Sequence, residues 1–205
     1  MFTGIIEAKA TLIRVERSAA GVDICLRVGA LASGAVLGQS FSLNGCCLTV
    51  TRLGDGELWF QAVPETLSRT ALGSLKEGSE LNVERAMAAD GRFDGHIVQG
   101  HVDEVGSVRE LAQSAADVRL HVGCSEEFSA LLVPKGSVAI NGVSLTVADL
   151  GPVELSVALI PHTLQETTLG QLHPDSPVNL EADVRGKYGQ KYLRSIAGGG
   201  GQAPD

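Results

Sequence analysis

The stretch Ser42-Leu-Asn-Gly-Cys-Cys-Leu-Thr-Val50 occurs a second time as Ala139-Ile-Asn-Gly-Val-Ser-Leu-Thr-Val147. Asn141 lies 97 positions after Asn44 (141 − 44), and two further pairs of blocks keep this offset: Pro64–Gly73 with Pro161–Gly170, and Leu81–Glu84 with Val178–Glu181. Solenoid repeats have periods of roughly 20–50 residues, which is much shorter. The sequence therefore predicts a tandem duplication of a whole domain. Upstream, Phe2-Thr-Gly4 matches Val98-Gln-Gly100 at an offset of 96, which indicates one inserted residue in a loop of the second copy.

The composition of the chain limits the classes of partner. The 205 residues carry a net charge of −8, and only 4% of them are aromatic. Without a run of lysines and arginines, this balance argues against nucleic acid and against an anionic membrane surface as partners. No stretch approaches the roughly 20 apolar residues of a membrane span, and the first residues lack the pattern of a signal peptide. The four cysteines show no metal-ligand spacing, so we expect reduced thiols, no metal site and a cytoplasmic location.

Short runs rich in Val, Ile, Leu and Thr alternate with Gly, Asp and Asn about every 8–12 residues, which is typical of an all-β sandwich or barrel. In the first copy these runs are Ala8–Glu16, Val22–Val28, Ser40–Leu43, Leu48–Leu53 and Leu58–Val63. The second copy repeats them at His101–Leu111, Asp117–Val122, Ser137–Ile140, Leu145–Leu150 and Leu155–Leu159. Closure into a barrel removes the exposed edges of short strands. We therefore predict an all-β chain of two closed barrels with about six strands each.

Two segments have helical patterns. Ser125–Val133 places Phe128, Leu131 and Leu132 at helical spacing after a capping Ser, and its counterpart in the first copy is 29–36. After Asp183, Tyr188, Tyr192 and Ile196 follow one another at every fourth position, which predicts a terminal amphipathic helix. The expected domains are barrels at 1–89 and 90–184, an oligomerisation helix at 185–197 and a disordered, Gly-rich tail at 198–205.

The two copies differ in the reactive residues that they place on a shared scaffold. Cys47 aligns with Ser144, and His101 with Ile5. Asp183 aligns with Ala86, and Lys135 with Gly38. The blocks that stay alike, Asn-Gly-x-x-Leu-Thr-Val and Pro-x-Thr-Leu, offer hydroxyls, an amide and extended backbone. Such groups suit a planar polar heterocycle with a polyol tail. The pattern predicts two related ligand sites with unequal chemistry.

Four motifs together resemble riboflavin synthase of the α-chain type. They are Met1–Glu7, Asn44–Val50, Gly95–Asp103 and Asn141–Val147, and the resemblance extends over about residues 1–192. It implies two six-stranded Greek-key barrels, a C-terminal helix and a homotrimer. It also implies a dismutation of two 6,7-dimethyl-8-ribityllumazine molecules, in which a four-carbon unit passes from donor to acceptor. The products are riboflavin and 5-amino-6-(ribitylamino)uracil, and no cofactor or metal is required. The resemblance leaves open an association with lumazine synthase.

The resemblance also implies a site between the N-terminal barrel of one subunit and the C-terminal barrel of the next. Residues implied in catalysis are Phe2, Ser40, Cys47, His101, Ser144 and Asp183. Residues implied in substrate binding are, from the first copy, Gly4, Ile5, Ile6, Cys47, Leu48, Thr49, Gln61, Ala62, Val63, Pro64, Glu65 and Thr66. Those from the second copy are Gly100, His101, Val102, Lys135, Ser144, Leu145, Thr146, Ala158, Leu159, Ile160, Pro161, His162 and Thr163.

Some of these residues also have a structural interpretation. A cysteine on a strand is commonly buried, and we keep that interpretation for Cys46 while assigning Cys47 a direct role. Histidine is the side chain type that ordinarily exchanges protons near neutral pH, so His101 suits proton transfer from the C7 methyl group of the substrate. Asp183 either ends a strand at a turn or supports His101 or a ribityl hydroxyl. His96 is interpreted as structural because it lies toward the linker.

Three classes of function remain open from the sequence. The first is the carbon-fragment transferase described above, and the second is a non-catalytic lumazine- or flavin-binding protein of the antenna type on the same fold. The third is a two-barrel scaffold without a ligand. The presence of Cys47, His101, Ser144 and Asp183 together favours the enzyme, since a protein that only binds can lose the reactive groups of one half.

Overall fold

The chain forms two closed antiparallel barrels of six strands each. The computed structural model describes residues 1–19, 21–113 and 117–198. The strands of the first barrel are β1 (Ala8–Ser18), β2 (Gly21–Arg27), β3 (Ser40–Leu43), β4 (Cys46–Leu53), β5 (Glu57–Ala62) and β6 (Glu80–Arg85). Those of the second are β7 (Glu104–Gln113), β8 (Val118–Gly123), β9 (Ser137–Ile140), β10 (Val143–Leu150), β11 (Glu154–Leu159) and β12 (Pro177–Ala182).

Both barrels have the same strand order. The first closes as β1-β2-β5-β4-β3-β6 and the second, in matching order, as β7-β8-β11-β10-β9-β12. Strands β3, β4 and β5 are joined by hairpins, and β2, which precedes them in the chain, lies beside β5. This arrangement is a Greek key. The predicted all-β fold with two six-stranded barrels is confirmed. The boundary expected near Ala89 falls in the segment between β6 and β7.

Alternation along β4 decides which side chains face the barrel core and which face outward. Cys46, Leu48 and Val50 point into the barrel core and are buried, whereas Cys47 and Thr49 lie on the outer face. This follows from the two-residue period of a strand. Cys46 is therefore part of the core, as the sequence indicates, and Cys47 is not.

The helices are short except for the last one. They are α1 (Pro64–Arg69), α2 (Glu126–Ser129), α3 (Pro161–Glu166) and α4 (Val184–Gly198), with 3-10 turns at Gly29–Ala32, Ala71–Ser74 and Thr168–Gln171. The helix predicted after Ser125 is confirmed as α2, and the Ser125 hydroxyl accepts a hydrogen bond from the Phe128 N–H group. The terminal helix is also confirmed. It includes Gly198, which the sequence analysis assigned to the tail, and 199–205 lie outside the described residues.

No helix is predicted from the sequence at the two Pro-x-Thr-Leu blocks, yet these blocks form α1 and α3. In each helix the proline occupies the first turn. Proline is favoured there because its φ is already helical and its missing N–H group has no partner in a first turn. This signal is present in the sequence and was overlooked in favour of the surrounding strand pattern.

The two barrels meet where their Asn-Gly turns touch. Asn44 and Asn141 both have φ 46°, and Gly45 and Gly142 have φ 79° and 80°. Positive φ at both central residues defines the two-residue type I′ hairpin turn, for which Asn-Gly is the preferred sequence. A Cβ atom built on Gly45 would lie 2.7 Å from the Gly142 nitrogen, so any side chain here would separate the turns.

Four buried asparagines join the barrels around this contact. Asn82 in β6 donates from Nδ2 to the Asn141 carbonyl at 3.0 Å, and its Oδ1 accepts from the Thr168 N–H group at 2.8 Å. Asn179 in β12 makes the equivalent bonds, to the Asn44 carbonyl at 2.7 Å and from the Ala71 N–H group at 2.7 Å. Each asparagine thus crosslinks its own barrel to the other one. The arrangement has the two-fold pseudo-symmetry expected of a duplicated chain.

We expect Asn82→Ala to lower the free energy of unfolding by about 2–5 kcal/mol, since it leaves a buried C=O and a buried N–H group without partners at about 1–3 kcal/mol each. Gln171→Ala is the matched control because it removes the exposed bond from Gln171 to Glu80, which also links the barrels. Its effect should stay within about 0.5 kcal/mol. Urea denaturation measures both values, and equal destabilisation by the two variants would contradict the role of the buried network.

Candidate active site

Two equivalent sites form where a segment from one half of the chain lies along a strand of the other barrel. In the first, called the N-site, Cys47–Thr49 of β4 lies beside Gly100–Val102, and the Cys47 N–H group donates to the Gly100 carbonyl at 2.9 Å. In the second, called the C-site, Ser144–Thr146 of β10 lies beside Gly4–Ile6. Here the Ser144 N–H group donates to the Gly4 carbonyl at 2.8 Å. Each site therefore contains residues from both copies of the repeat.

Glycine is required at the point of closest approach in both sites. Gly4 has φ +77° and Gly100 has φ +79°, which is the left-handed region that other residues rarely adopt. A Cβ atom on Gly4 would lie 2.6 Å from Cβ of Ser144, and one on Gly100 would lie 2.6 Å from Cβ of Cys47. Both contacts are too short for a side chain. The glycines thus allow the two segments to reach the strands that carry Cys47 and Ser144.

The N-site presents Cys47 and His101. Cys47 is half-buried on the outer face of β4. Burial raises the pKa of the other three thiols, that of Cys46 to about 12 and those of Cys25 and Cys124 to about 11. His101 is exposed, and its backbone directly follows Gly100. Ser40 is half-buried in β3 and pairs with Thr49 across the strands. The structure thus brings together four of the residues that the sequence analysis assigned to the site.

Phe2 has a supporting position. Its side chain is completely buried and packs with Val98, Ala139 and Cys47, and its backbone forms two hydrogen bonds with Val98 at 2.7 and 3.1 Å. Its ring carbon Cε2 would lie 3.0 Å from a Cβ atom on Gly100. The ring has no exposed surface and packs against the residues around Gly100 and Cys47. The catalytic role of Phe2 implied by the resemblance stays a prediction.

The C-site contains a serine–histidine pair that the sequence analysis missed. The His96 Nδ1 atom lies 2.7 Å from the Ser144 Oγ atom, and the His96 side chain is buried. Burial lowers the pKa of His96, and the nearby Asp183 carboxylate partly opposes this effect. The imidazole is therefore neutral at neutral pH. The position of His96 near the linker favours a structural interpretation from the sequence. His96 nevertheless lies in the same motif as His101, and this shared motif is the sequence signal for a functional role.

Asp183 and His96 interact electrostatically in the C-site. Asp183 follows β12, and its carboxylate accepts a hydrogen bond from the Arg185 Nε atom at 3.0 Å. The hydrogen bonds from Arg185 lower the pKa of Asp183, and His96 contributes in the same direction. The support of His101 or of a ribityl hydroxyl by Asp183 stays a prediction. Hydrogen bonds and packing carry Gly100 and His101 across to the other barrel, and no local sequence pattern encodes that crossing.

The backbone at Lys135 is strained. Lys135 has φ 64°, and the equivalent residue of the first copy is Gly38 with φ 82°. The Lys135 N–H group donates to the Val147 carbonyl at 2.8 Å, as that of Gly38 does to Val50 at 2.9 Å. A lysine at a position that favours glycine costs of order 1–3 kcal/mol. Lys135 places an exposed cationic side chain just before β9, which a glycine would not provide. This difference supports the assignment of Lys135 to ligand binding.

The remaining binding residues lie at equivalent junctions in the two barrels. Gln61 and Ala62 end β5, Val63 precedes α1, and Pro64–Thr66 form the first residues of α1. Ala158 and Leu159 end β11, Ile160 precedes α3, and 161–163 form its first residues. Val63 and Ile160 are 47% and 61% exposed, so each of these junctions carries an uncovered apolar side chain.

Among the described residues no helix is long and apolar enough to cross a membrane.

Fold and paired sites together define a protein built of two lumazine-binding domains. The family model for the lumazine binding domain matches twice, at residues 3–86 and 99–183. Riboflavin synthase from Actinobacillus pleuropneumoniae is 39% identical over 193 residues, which cover 94% of this chain and 90% of that protein. Riboflavin synthase from Mycobacterium bovis is 38% identical over 199 residues, covering 95% and 99%. The chain belongs to the riboflavin synthase family.

Solved structures with the same fold include LumP in complex with 6,7-dimethyl-8-(1'-D-ribityl) lumazine. That structure has a TM-score of 0.80 and 19% sequence identity, and the alignment covers 89% of this chain and 99% of LumP. The complex of LumP with riboflavin gives a TM-score of 0.81 at 20% identity. At this identity the similarity establishes the two-barrel fold and nothing about activity.

We expect His96→Gln to make the stability of the protein less sensitive to acid. The pKa of His96 is lowered on folding from its ordinary value of 6.5, so the unfolded chain binds the proton more readily. Stability contributed by this group is complete above pH 6.5 and is lost as the pH falls toward the folded-state pKa. Urea unfolding at pH 7.5 and 5.5 should show a smaller loss for the variant than for the wild type. His173→Gln, which replaces an exposed histidine, is the control. An unchanged loss in His96→Gln contradicts the assignment.

Proposed function

We propose that the protein is a riboflavin synthase that converts two molecules of 6,7-dimethyl-8-ribityllumazine into riboflavin and 5-amino-6-(ribitylamino)uracil. The observation that carries the proposal is the presence of two equivalent sites with unequal reactive groups. The N-site has Cys47 with His101, and the C-site has Ser144 with His96 at 2.7 Å. A reaction between two identical molecules in different roles requires this combination of similar binding and different chemistry. The family relationship supports the same conclusion.

The chemistry of the dismutation assigns different tasks to the two molecules. The donor accepts a nucleophile at C7, and the acceptor loses a proton from its C7 methyl group before the new carbon–carbon bonds form. Holding both molecules in fixed relative positions converts an encounter in dilute solution into a local reaction. The neutral His96 in contact with the Ser144 hydroxyl suits activation of a nucleophile in the C-site. His101 in the N-site suits removal of the methyl proton.

The direct experiment is incubation of the purified protein with 6,7-dimethyl-8-ribityllumazine alone. We expect riboflavin and 5-amino-6-(ribitylamino)uracil in equal amounts, which absorbance and chromatography measure. Folded protein that binds the lumazine without forming riboflavin would instead be a non-catalytic binding protein. Folded protein that does not bind the lumazine would be neither a riboflavin synthase nor a lumazine-binding protein.

We expect His101→Gln to slow riboflavin formation by about 10²–10⁴, the usual range for losing a general acid or base, while lumazine binding stays within a few-fold. The same variant should slow deuterium exchange into the C7 methyl group, which NMR follows after the exchange of free substrate is subtracted. His162→Gln is a suitable control, because it is another exposed histidine among the assigned binding residues but lies in the C-site segment. If methyl exchange on the enzyme is unchanged while product formation collapses, His101 is not the base.

We propose further that the protein is a homotrimer in which the N-site of one subunit faces the C-site of the next. α4 supports an assembly role because its two faces differ. Lys187 pairs with Asp103 at 2.7 Å, and Gln190 and Arg194 line a cavity with Leu131 of the same chain. On the other face Tyr188, Tyr192, Leu193 and Ile196 are 59–70% exposed. This apolar stripe suits contact with a second subunit.

Truncation after Asp183 and the single substitution Tyr192→Asp should both give a smaller species in analytical ultracentrifugation, because each removes apolar contact from the assembly face. Lys191→Asp places the same new charge one position away, beside the apolar stripe, and should leave the sedimentation of the protein unchanged. An unchanged sedimentation coefficient for Tyr192→Asp and for the truncated chain would show that α4 is not the assembly element.

The cellular setting remains a prediction. All four cysteines are free thiols, which fits a reducing compartment such as the cytoplasm. Association with lumazine synthase is likewise a prediction, based on the expectation that an enzyme consuming 6,7-dimethyl-8-ribityllumazine profits from proximity to the enzyme that makes it. Co-sedimentation of the two purified proteins tests this association.

A further inference from the structure

Two buried glutamates hold the segments that complete the sites. Glu84 in β6 accepts hydrogen bonds from the Thr3 and Gly4 N–H groups at 2.6 and 3.0 Å. Glu181 in β12 accepts three, from Gln99 at 2.7 Å and from Gly100 and His101 at 3.0 Å each. The two glutamates are 3% and 2% exposed. Each carboxylate thus fixes the backbone of the segment that reaches across to the other barrel.

These buried carboxylates carry an energetic cost. Burial raises the pKa of both, that of Glu181 to about 7, whereas the backbone N–H groups act in the opposite direction on each. Lys187 also lowers the pKa of Glu181, and Asp103 raises it. An apolar side chain of similar size would avoid the cost of desolvating a carboxylate. The two oxygen atoms of the Glu181 carboxylate accept from three successive N–H groups of this curved segment, which an apolar side chain cannot do.

The two glutamates differ in how the third residue of the segment is held. His101 donates its N–H group directly to Glu181 Oε2 at 3.0 Å. The equivalent residue in the first copy, Ile5, donates instead to the Thr3 hydroxyl at 3.4 Å, and this hydroxyl donates to Glu84 Oε1 at 2.8 Å. Gln99 replaces Thr3 in the second copy and provides no such hydroxyl. The His101 N–H group is therefore held by Glu181 directly, without an intervening hydroxyl.

We propose that Glu181 and Glu84 are positioning residues that act on the site of the opposite barrel, Glu181 on the N-site and Glu84 on the C-site. Glu181 lies in the second barrel, yet the Gly100 carbonyl that it helps to place accepts the Cys47 N–H group of the first barrel at 2.9 Å. Glu84 lies in the first barrel and places Gly4 against Ser144 of the second. This inference rests on the proposed function for its effect on turnover, but its structural part is measurable without substrate.

The test compares Glu181→Gln with Glu84→Gln in the full-length protein. A carboxamide keeps one acceptor oxygen and replaces the other by an NH₂ donor, so Glu181→Gln leaves either the Gln99 N–H group or the Gly100 and His101 N–H groups facing a donor. Alkylation of Cys47 by iodoacetamide, located by peptide mass spectrometry, reports on the N-site. We expect Glu181→Gln to change the alkylation rate of Cys47 by at least about fivefold, as expected for losing one or more buried hydrogen bonds. Glu84→Gln lies in the same barrel as Cys47 and should change it less than twofold.

Amide hydrogen exchange gives the reciprocal measurement. Glu181→Gln should speed exchange at 99–101 and Glu84→Gln at 3–5, each by at least about fivefold and without changing the other segment. In the riboflavin assay, Glu181→Gln should lower kcat more than it raises KM, since His101 is displaced while the strand edges that bind the substrate remain. If either variant does not fold, the aspartate variant of the same residue replaces it, with the same expected direction.

Equal effects of the two variants on Cys47, or an effect of Glu84→Gln alone, would overturn the proposal, and so would unchanged exchange at 99–101 in Glu181→Gln. A wild-type protein that forms no riboflavin would disprove the proposed function while leaving the alkylation and exchange results to decide the role of the glutamates. The two failures are therefore distinguishable.

Discussion

The contact between the two Asn-Gly turns determines how the rest of the molecule is arranged. The backbones of Gly45 and Gly142 are so close that a Cβ atom on either would lie 2.7 Å from the other's nitrogen. Asn82 and Asn179 then bond across this contact to the carbonyls of Asn141 and Asn44. Because these groups are buried, the barrels cannot shift relative to each other without leaving several polar groups unpaired. This one contact therefore holds the N-site in a fixed position relative to the residues of the other barrel that support it.

A second consequence of the pseudo-two-fold arrangement is that the segments preceding the barrels cross. Phe2 and Val98 pair at the crossing point, and each segment then continues along β10 or β4 of the other barrel. Neither copy of the repeat therefore contains a complete site. Duplication in this protein does more than double a binding domain, because each half supplies one wall of the site in the other.

Much of this structure follows from the sequence, but the parts that depend on the crossing do not. The repeat, the barrels, the opposite faces of Cys46 and Cys47 and the helix α4 are all local or periodic features, so sequence patterns predict them. The His96–Ser144 contact and the interaction of Asp183 with His96 arise from long-range packing between residues that are distant in the chain. Such contacts leave no periodic pattern in the sequence. The helices α1 and α3 were missed for a different reason, since their initial prolines were a local signal.

The crossing also explains how an uneven set of residues provides two reactive sites. His96, His101, Ser144 and Asp183 all belong to the second half, whereas the first half contributes Cys47 together with Ser40. Without the crossing, Cys47 would lie beside Ile5, and both histidines and Asp183 would remain with the second barrel. Because Gly100 binds Cys47 and Gly4 binds Ser144, His101 is moved into the N-site and the apolar Ile5 into the C-site. Each site then has its own histidine, exposed in the N-site and buried in the C-site, although the scaffolds of the two sites are the same.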